Sequence, residues 1–88
     1  MVIQLKKFGL VLNSRPSGKE AYMAYGPTLS QWDRDESIIV DFDGVEVLSP
    51  SWADEFLSPL FEKYGENVKF KNQSNASVQA TLKVLKLS

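Results

Sequence analysis

The run Ser37-Ile38-Ile39-Val40-Asp41-Phe42 constrains the fold of this chain more than any other stretch. Three consecutive β-branched residues lose χ1 freedom in a helix and pack well on a pleated surface. The run does not alternate apolar with polar, so it predicts a strand covered on both faces, as at the centre of a parallel sheet. A chain of 88 residues has room for one such core, and residues 1–88 read as a single domain. The flanking segments must then supply the helices that cover the strand.

The flanks have that character. Val2 to Phe8 keeps Ile3 and Leu5 in period-two register, Gly9 punctuates the run, and Leu10-Val11-Leu12 follows, which reads as an N-terminal strand or hairpin. Ser17-Gly18-Lys19-Glu20 has capping-box spacing, with Ser17 as N-cap of a helix through Ala21, Tyr22, Met23 and Tyr25. Gly26-Pro27 is expected to interrupt the pattern, leaving Thr28 to Trp32 as a second helical piece or a kinked continuation and Asp33 to Glu36 as a solvated connector. Beyond the central strand, Asp43-Gly44 turns the chain and Val45 to Leu48 forms a short approach. Ser49-Pro50-Ser51 opens the next helix, with Ser51 as N-cap and Asp54 placed to complete a box. Trp52, Ala53, Phe56, Leu57, Leu60, Phe61 and Tyr64 give it an apolar face, Pro59 bends it and Gly65 ends it. Val68-Lys69-Phe70-Lys71 alternates like a strand near an edge. Asn72 to Ser77 is a polar turn, and Val78, Thr81, Leu82 and Leu85 share one face of a last helix. The order strand, helix, strand, helix, strand, helix predicts a small α/β sandwich: a mostly parallel or mixed sheet of about four strands with about three helices.

Composition removes several functions. There is no cysteine, hence no disulfide framework, thiol nucleophile or thiolate zinc site, and a cytoplasmic home is the natural expectation. There is no histidine, so catalytic triads, paired-histidine metal helices and imidazole acid–base chemistry are absent. A net charge of −1 gives no general attraction to nucleic acid or to an anionic membrane. No apolar run approaches the roughly 20 residues of a membrane span.

Ser17-Gly18, Gly26-Pro27 with Leu29, Ile39-Val40-Asp41-Phe42-Asp43-Gly44-Val45 and Ser51-Trp52-Ala53-Asp54-Glu55-Phe56-Leu57 occur in that order, followed by a strand ending near Asn72. From about Ser14 to Leu85 this series resembles a family of short bacterial and phage proteins described as STAS-like and otherwise of unknown function. Trp52 stands where the family usually has phenylalanine, and Ser58-Pro59 replaces a small, glycine-rich pair. The resemblance implies a regulatory protein-binding module. In the anti-anti-sigma branch of STAS domains, a partner kinase phosphorylates a serine at the start of the helix after a central strand. Ser51 falls nearest that position here, with Ser49 next.

Each candidate residue also has a plain structural role. Ser51 as a helix cap contributes roughly 1 kcal/mol and needs no other task. A phosphate there would meet free amides and the positive helix end, while Asp54 and Glu55 would oppose it. Asp41 and Asp43 sit at the carboxyl end of the central strand, where open α/β sheets bind ligands, and could hold Mg²⁺; without a phosphate-gripping loop or catalytic lysine motif, a turn and a local hydrogen bond explain them better. Trp32, Trp52, Tyr22 and Tyr25 suit either a binding surface or the core. The scattered lysines, including Lys6, Lys7, Lys69, Lys71, Lys83 and Lys86, read as a solubilising edge.

The expectation is a non-enzymatic module without cofactor or metal that binds another protein, either a kinase-like ATPase or a host complex, and is switched by serine phosphorylation. Its contact ridge runs from Gly44 to Asp54, with Glu46, Ser49, Ser51, Trp52 and Glu55 as the named contact residues and Trp52 partly exposed. A phage or mobile-element protein that blocks a larger host complex is the alternative; a small carboxylate-dependent hydrolase or nucleotide-binding enzyme is the third reading. Oligomeric state is not encoded in any motif.

Overall fold

A computed structural model describes residues 1–87. Its main sheet contains β1 (Val2–Gln4), β3 (Ile38–Asp41) and β5 (Val68–Lys71), in the order β1-β3-β5 and parallel throughout. The β-branched strand is central, as its composition requires. One expectation fails here: the strand is covered on one face, not two. The register places Val2, Ile39 and Lys69 side by side, then Gln4, Asp41 and Lys71. On that face Val2, Gln4, Lys69 and Lys71 are exposed, Ile39 is half-buried, and Asp41 alone is buried, at the end where the Asp43 amide and Asn72 close over it. Ile3, Ile38, Val40 and Val68 point the other way and are buried. Ile39 is thus an apolar residue on the open face, lying between Val2 and the stem of Lys69, and its chemistry alone could not reveal that.

The second sheet is a two-stranded parallel ladder of β2 (Val11–Leu12) and β4 (Val47–Leu48). An N-terminal hairpin is therefore excluded: β1 and β2 belong to different sheets, and a short 3₁₀ turn, Leu5–Phe8, carries the chain between them. The approach segment after the central strand is β4. Gly44, at φ 84°, makes the tight turn, and a Cβ there would come within 3.0 Å of the Lys6 side chain.

Three helices complete the described fold: α1 (Arg15–Leu29), α2 (Pro50–Tyr64) and α3 (Ala76–Val84). The N-cap of α1 is Ser14, whose Oγ accepts from the Ser17 amide at 3.3 Å, so Ser17 lies inside the first turn. Pro16, near the start, needs no intrahelical donor, which explains the earlier beginning. Nor do Gly26-Pro27 break α1, which continues to Leu29. The proline leaves the Met23 carbonyl without its usual donor, on an exposed turn where water can serve it. Trp32 lies beyond the helix and donates its indole N–H to the Glu36 carbonyl at 3.0 Å. No helix among the described residues is long and apolar enough to cross a membrane.

α1 and α2 run parallel: Arg15 meets Asp54, Tyr22 meets Phe56, and Trp32 beyond α1 meets Tyr64 at the far end. Gly18 sets their separation. A Cβ on Gly18 would collide with the Trp52 carbonyl oxygen and lie 2.9 Å from the Trp52 Cα. Because the obstacle is backbone, no side-chain rotation relieves it. The close approach lets Trp52 stack on Phe56, ring centroids 5.1 Å apart and 13° from parallel, with Phe8 leaning against both. Trp52 is 2% exposed, so it belongs to the core and is not a surface contact. Gly18→Ala should therefore lower stability in urea denaturation by about 1–3 kcal/mol, the range for overpacking, despite alanine's better helix propensity. A more stable variant would contradict the close approach. Val40→Asp should prevent folding by burying an unpaired charge, whereas Ile39→Asp should leave a cooperative melting transition.

Candidate functional site

The carboxyl end of the main sheet collects most of the candidate residues. Both parallel helices start there, and their positive ends face the same side as the turn after β3. Ser49 is the N-cap of α2, its Oγ accepting from the Trp52 amide at 3.2 Å, and Pro50 takes the first helical position. This corrects the assignment of Ser51 as cap. Ser51 is in the first turn, exposed, and its hydroxyl has no partner among the described residues. The Ser-Pro-Ser spacing contained the clue, since proline is favoured just after a cap.

Asp54 and Glu55 are half-buried and drawn to Arg15 of α1, whose Nη1 lies 2.8 Å from Asp54 Oδ2 and 3.9 Å from Glu55 Oε1. Asp54 also accepts from Ser58 Oγ at 2.7 Å instead of completing a capping box. Bonds from Arg15 and then Ser58 hold the Asp54 carboxyl below the usual carboxylate range. Arg15 thus offsets the two acids nearest Ser51. Sequence spacing could not reveal this, because the cation comes from another helix.

Glu46 is exposed, and its neighbours form an apolar surface missed in the sequence. Val11 and Val47 are opposite one another on the ladder and 53% and 41% exposed, and Leu10 beside them is 49% exposed. The period-two pattern of Leu10-Val11-Leu12 and Val47-Leu48 was the available signal: Leu12 and Leu48 face inward, so Val11 and Val47 must face out. Glu46, Ser49, Ser51 and Glu55 therefore share one end of the domain with Leu10, Val11 and Val47, while Trp52 lies beneath them.

Asp41 and Asp43 do not converge on a common point. Asp43 is exposed, 3.7 Å from Lys6 Nζ. Asp41, 6% exposed, accepts from Asn72 Nδ2 at 2.8 Å and from the Asp43 amide at 2.9 Å. Among the described residues no group of three or more potential ligand side chains could hold a metal. The Asn72 bond, then the Asp43 amide, with smaller help from Lys71 and Lys6, lower the Asp41 pKa against the cost of burial. At the opposite end of the helices, Leu29, Trp32, Arg34, Lys63 and Tyr64 border an open cleft of about 490 Å³. Lys63 lies there in the last turn of α2, where the negative helix end favours a cation, and Arg34 belongs to the connector beyond α1.

These contacts have separable consequences. Ser49→Ala should cost about 1 kcal/mol in chemical denaturation, while Ser51→Ala should stay within about 0.5 kcal/mol; reversed values would restore Ser51 as the cap. Because Asp41 is more acidic folded than unfolded, its contribution is present above the unfolded carboxylate pKa, near 3.9, and disappears as pH falls through the lower folded value. Asp41→Asn should cost about 1–2 kcal/mol at pH 7 and flatten the loss of stability between pH 5 and 2. Parallel acid-unfolding curves for the two proteins would contradict that role.

Comparison with protein families brings a match over residues 28–78, from the end of α1 to the start of α3, to the STAS-like domain of unknown function (DUF4325). Comparison with curated proteins and with solved structures returns no match. The matched segment holds the central strand, its turn, β4, α2 and β5, more than half the chain. The chain belongs to the STAS-like domain family.

Proposed function

We propose that this domain is a non-enzymatic regulatory module that binds another protein through the carboxyl end of its sheet, and that Ser51 is the position of a phosphorylation switch. The supporting observation is the exposed apolar group Leu10, Val11 and Val47 beside a first helical turn whose serine hydroxyl is not used as a cap. Apolar side chains grouped at a rigid sheet end suit a partner surface, and Glu46 adds a charged rim. A phosphate on Ser51 would add about −1.5 to −2 charges there, next to the positive end of α2. Arg15 lessens the repulsion from Asp54 and Glu55. The family relationship supports the module; the switch is inferred from STAS domains in general.

The test begins with capture from the native host, followed by hydrogen-exchange footprinting of the purified complex. The partner should protect residues 10–12 and 44–51. Val47→Asp should weaken it at least tenfold while leaving the melting transition in place, and Ser51→Asp should weaken it more than Ser51→Ala. Protection confined to the open face around Lys69 would overturn the docking site. Equal affinities for Ser51→Asp and wild type would overturn the switch.

A further inference from the structure

The two outer edges of the β2–β4 ladder are treated differently. In a parallel ladder, each strand directs alternate residues' N–H and C=O groups at its neighbour and the rest outward. The Leu10 carbonyl accepts from the Glu46 and Val47 amides and the Leu12 carbonyl accepts from the Ser49 amide, so these groups face β4. Leu48 and Val11 therefore present the outward pairs. On the β4 side that edge is sealed. Ser77 Oγ accepts from the Leu48 amide at 3.0 Å, and the Leu48 carbonyl accepts from Thr81 Oγ1 at 2.6 Å and Ser77 Oγ at 3.3 Å. Asn75 Nδ2 covers the preceding carbonyls of Val45 and Glu46, each at 3.2 Å. Three side chains, from the cap and the first two turns of α3, thus stand where another strand would pair.

On the β2 side nothing comparable exists. Val11 faces away from β4, and among the described residues its amide and carbonyl have no hydrogen bond to a side chain or to backbone outside the helices and strands. The segment Phe8 to Ser14 contains no charge and no proline. Proteins usually blunt an exposed strand edge with lysine, proline, a bulge or a cover. β5, at the edge of the main sheet, follows that practice with Lys69 and Lys71. β2 is open, uncharged and flanked by exposed Leu10, Val11 and Val47.

We infer that β2 is a strand-addition site, which takes an extended segment of the partner protein as a third strand of the ladder. This rests on the proposed docking end and specifies how it binds. The incoming segment donates to and accepts from Val11, lays alternate apolar side chains beside Val11 on its exposed face, and carries a basic residue towards Glu46, which has no ion-pair partner among the described residues. Backbone pairing supplies attachment, and the alternating side chains and the terminal charge supply selectivity.

The probe is the synthetic peptide acetyl-Lys-Val-Thr-Val-Thr-Val-Arg-amide, titrated into the full chain labelled with ¹⁵N. The Val11 amide resonance should move downfield and its exchange with water should slow. The same peptide with glutamate at both ends should bind at least threefold more weakly. Val11→Pro, which removes the outward donor, should weaken binding at least tenfold. Val11→Lys keeps the backbone and blunts the edge, and should weaken it severalfold; melting curves establish that both variants fold. An unmoved Val11 amide at millimolar peptide, equal binding by the Val11→Pro protein, or shifts centred on Lys69 would overturn strand addition. A natural partner that protects residues 44–51 but not the Val11 amide would overturn strand addition alone. One that protects neither segment would overturn the docking site beneath it.

Discussion

The contact between Gly18 and the backbone of Trp52 is the constraint on which the rest of the structure depends. It brings α1 within reach of α2 without an intervening side chain, and both helix starts come to the same end of the sheet. With the axes that close, Arg15 reaches Asp54 and Glu55, and Trp52, Phe56, Phe8 and Tyr22 form one aromatic cluster. A larger residue at position 18 would separate the helices or rotate them. Either change would unstack the rings and take Arg15 away from the acids beside Ser51. Packing inside the domain and charge at its surface thus have a common origin.

The polar groups around this core also show where the domain is finished and where it is not. Among the described residues, no buried side-chain nitrogen or oxygen lacks a partner. Asn75, Ser77 and Thr81 close the outer edge of β4, and Asp41, Asn72 and the Asp43 amide close the turn after β3. Against that background the bare edge of β2 and the exposed Val11 and Val47 stand out as surface with unused bonding capacity. They adjoin the first turn of α2, so a partner attached to one would contact the other. A charge added at Ser51 would act on that shared surface.

Much of the fold was legible in the chain because local chemistry decided it. Three β-branched residues made Ile38–Asp41 a strand, the apolar spacing from Trp52 to Tyr64 made α2, and the lysines of β5 marked an edge. The misreadings have physical causes. Ile39 looked like core because an apolar residue on an open face cannot be distinguished by composition from one beneath a helix. Ser51 looked like a cap because two serines flank Pro50, and only the preference of proline for the first helical position selects Ser49. Of the two readings at Pro27, a second piece or a continuation, the helix takes the continuation as far as Leu29, because the displaced carbonyl lies on an exposed turn. Trp52 looked like a surface anchor since nothing local reveals that a glycine 34 positions earlier lets a second helix cover it. At the candidate site, Glu46, Ser49, Ser51 and Glu55 were read from the strand-to-helix junction, and the structure places them at one end of the domain. Leu10, Val11 and Arg15 were missed because they arrive from distant parts of the chain.

The close approach of α1 to α2 is open to direct measurement by nuclear Overhauser spectroscopy of the intact chain. With no Cβ between the two backbones, the Gly18 α-protons should give a strong cross-peak to the Trp52 α-proton. Gly18 α-protons that show contacts only within α1, in a sample whose Trp52 ring still contacts Phe56, would contradict the account: the helices would then be held apart by something other than this glycine.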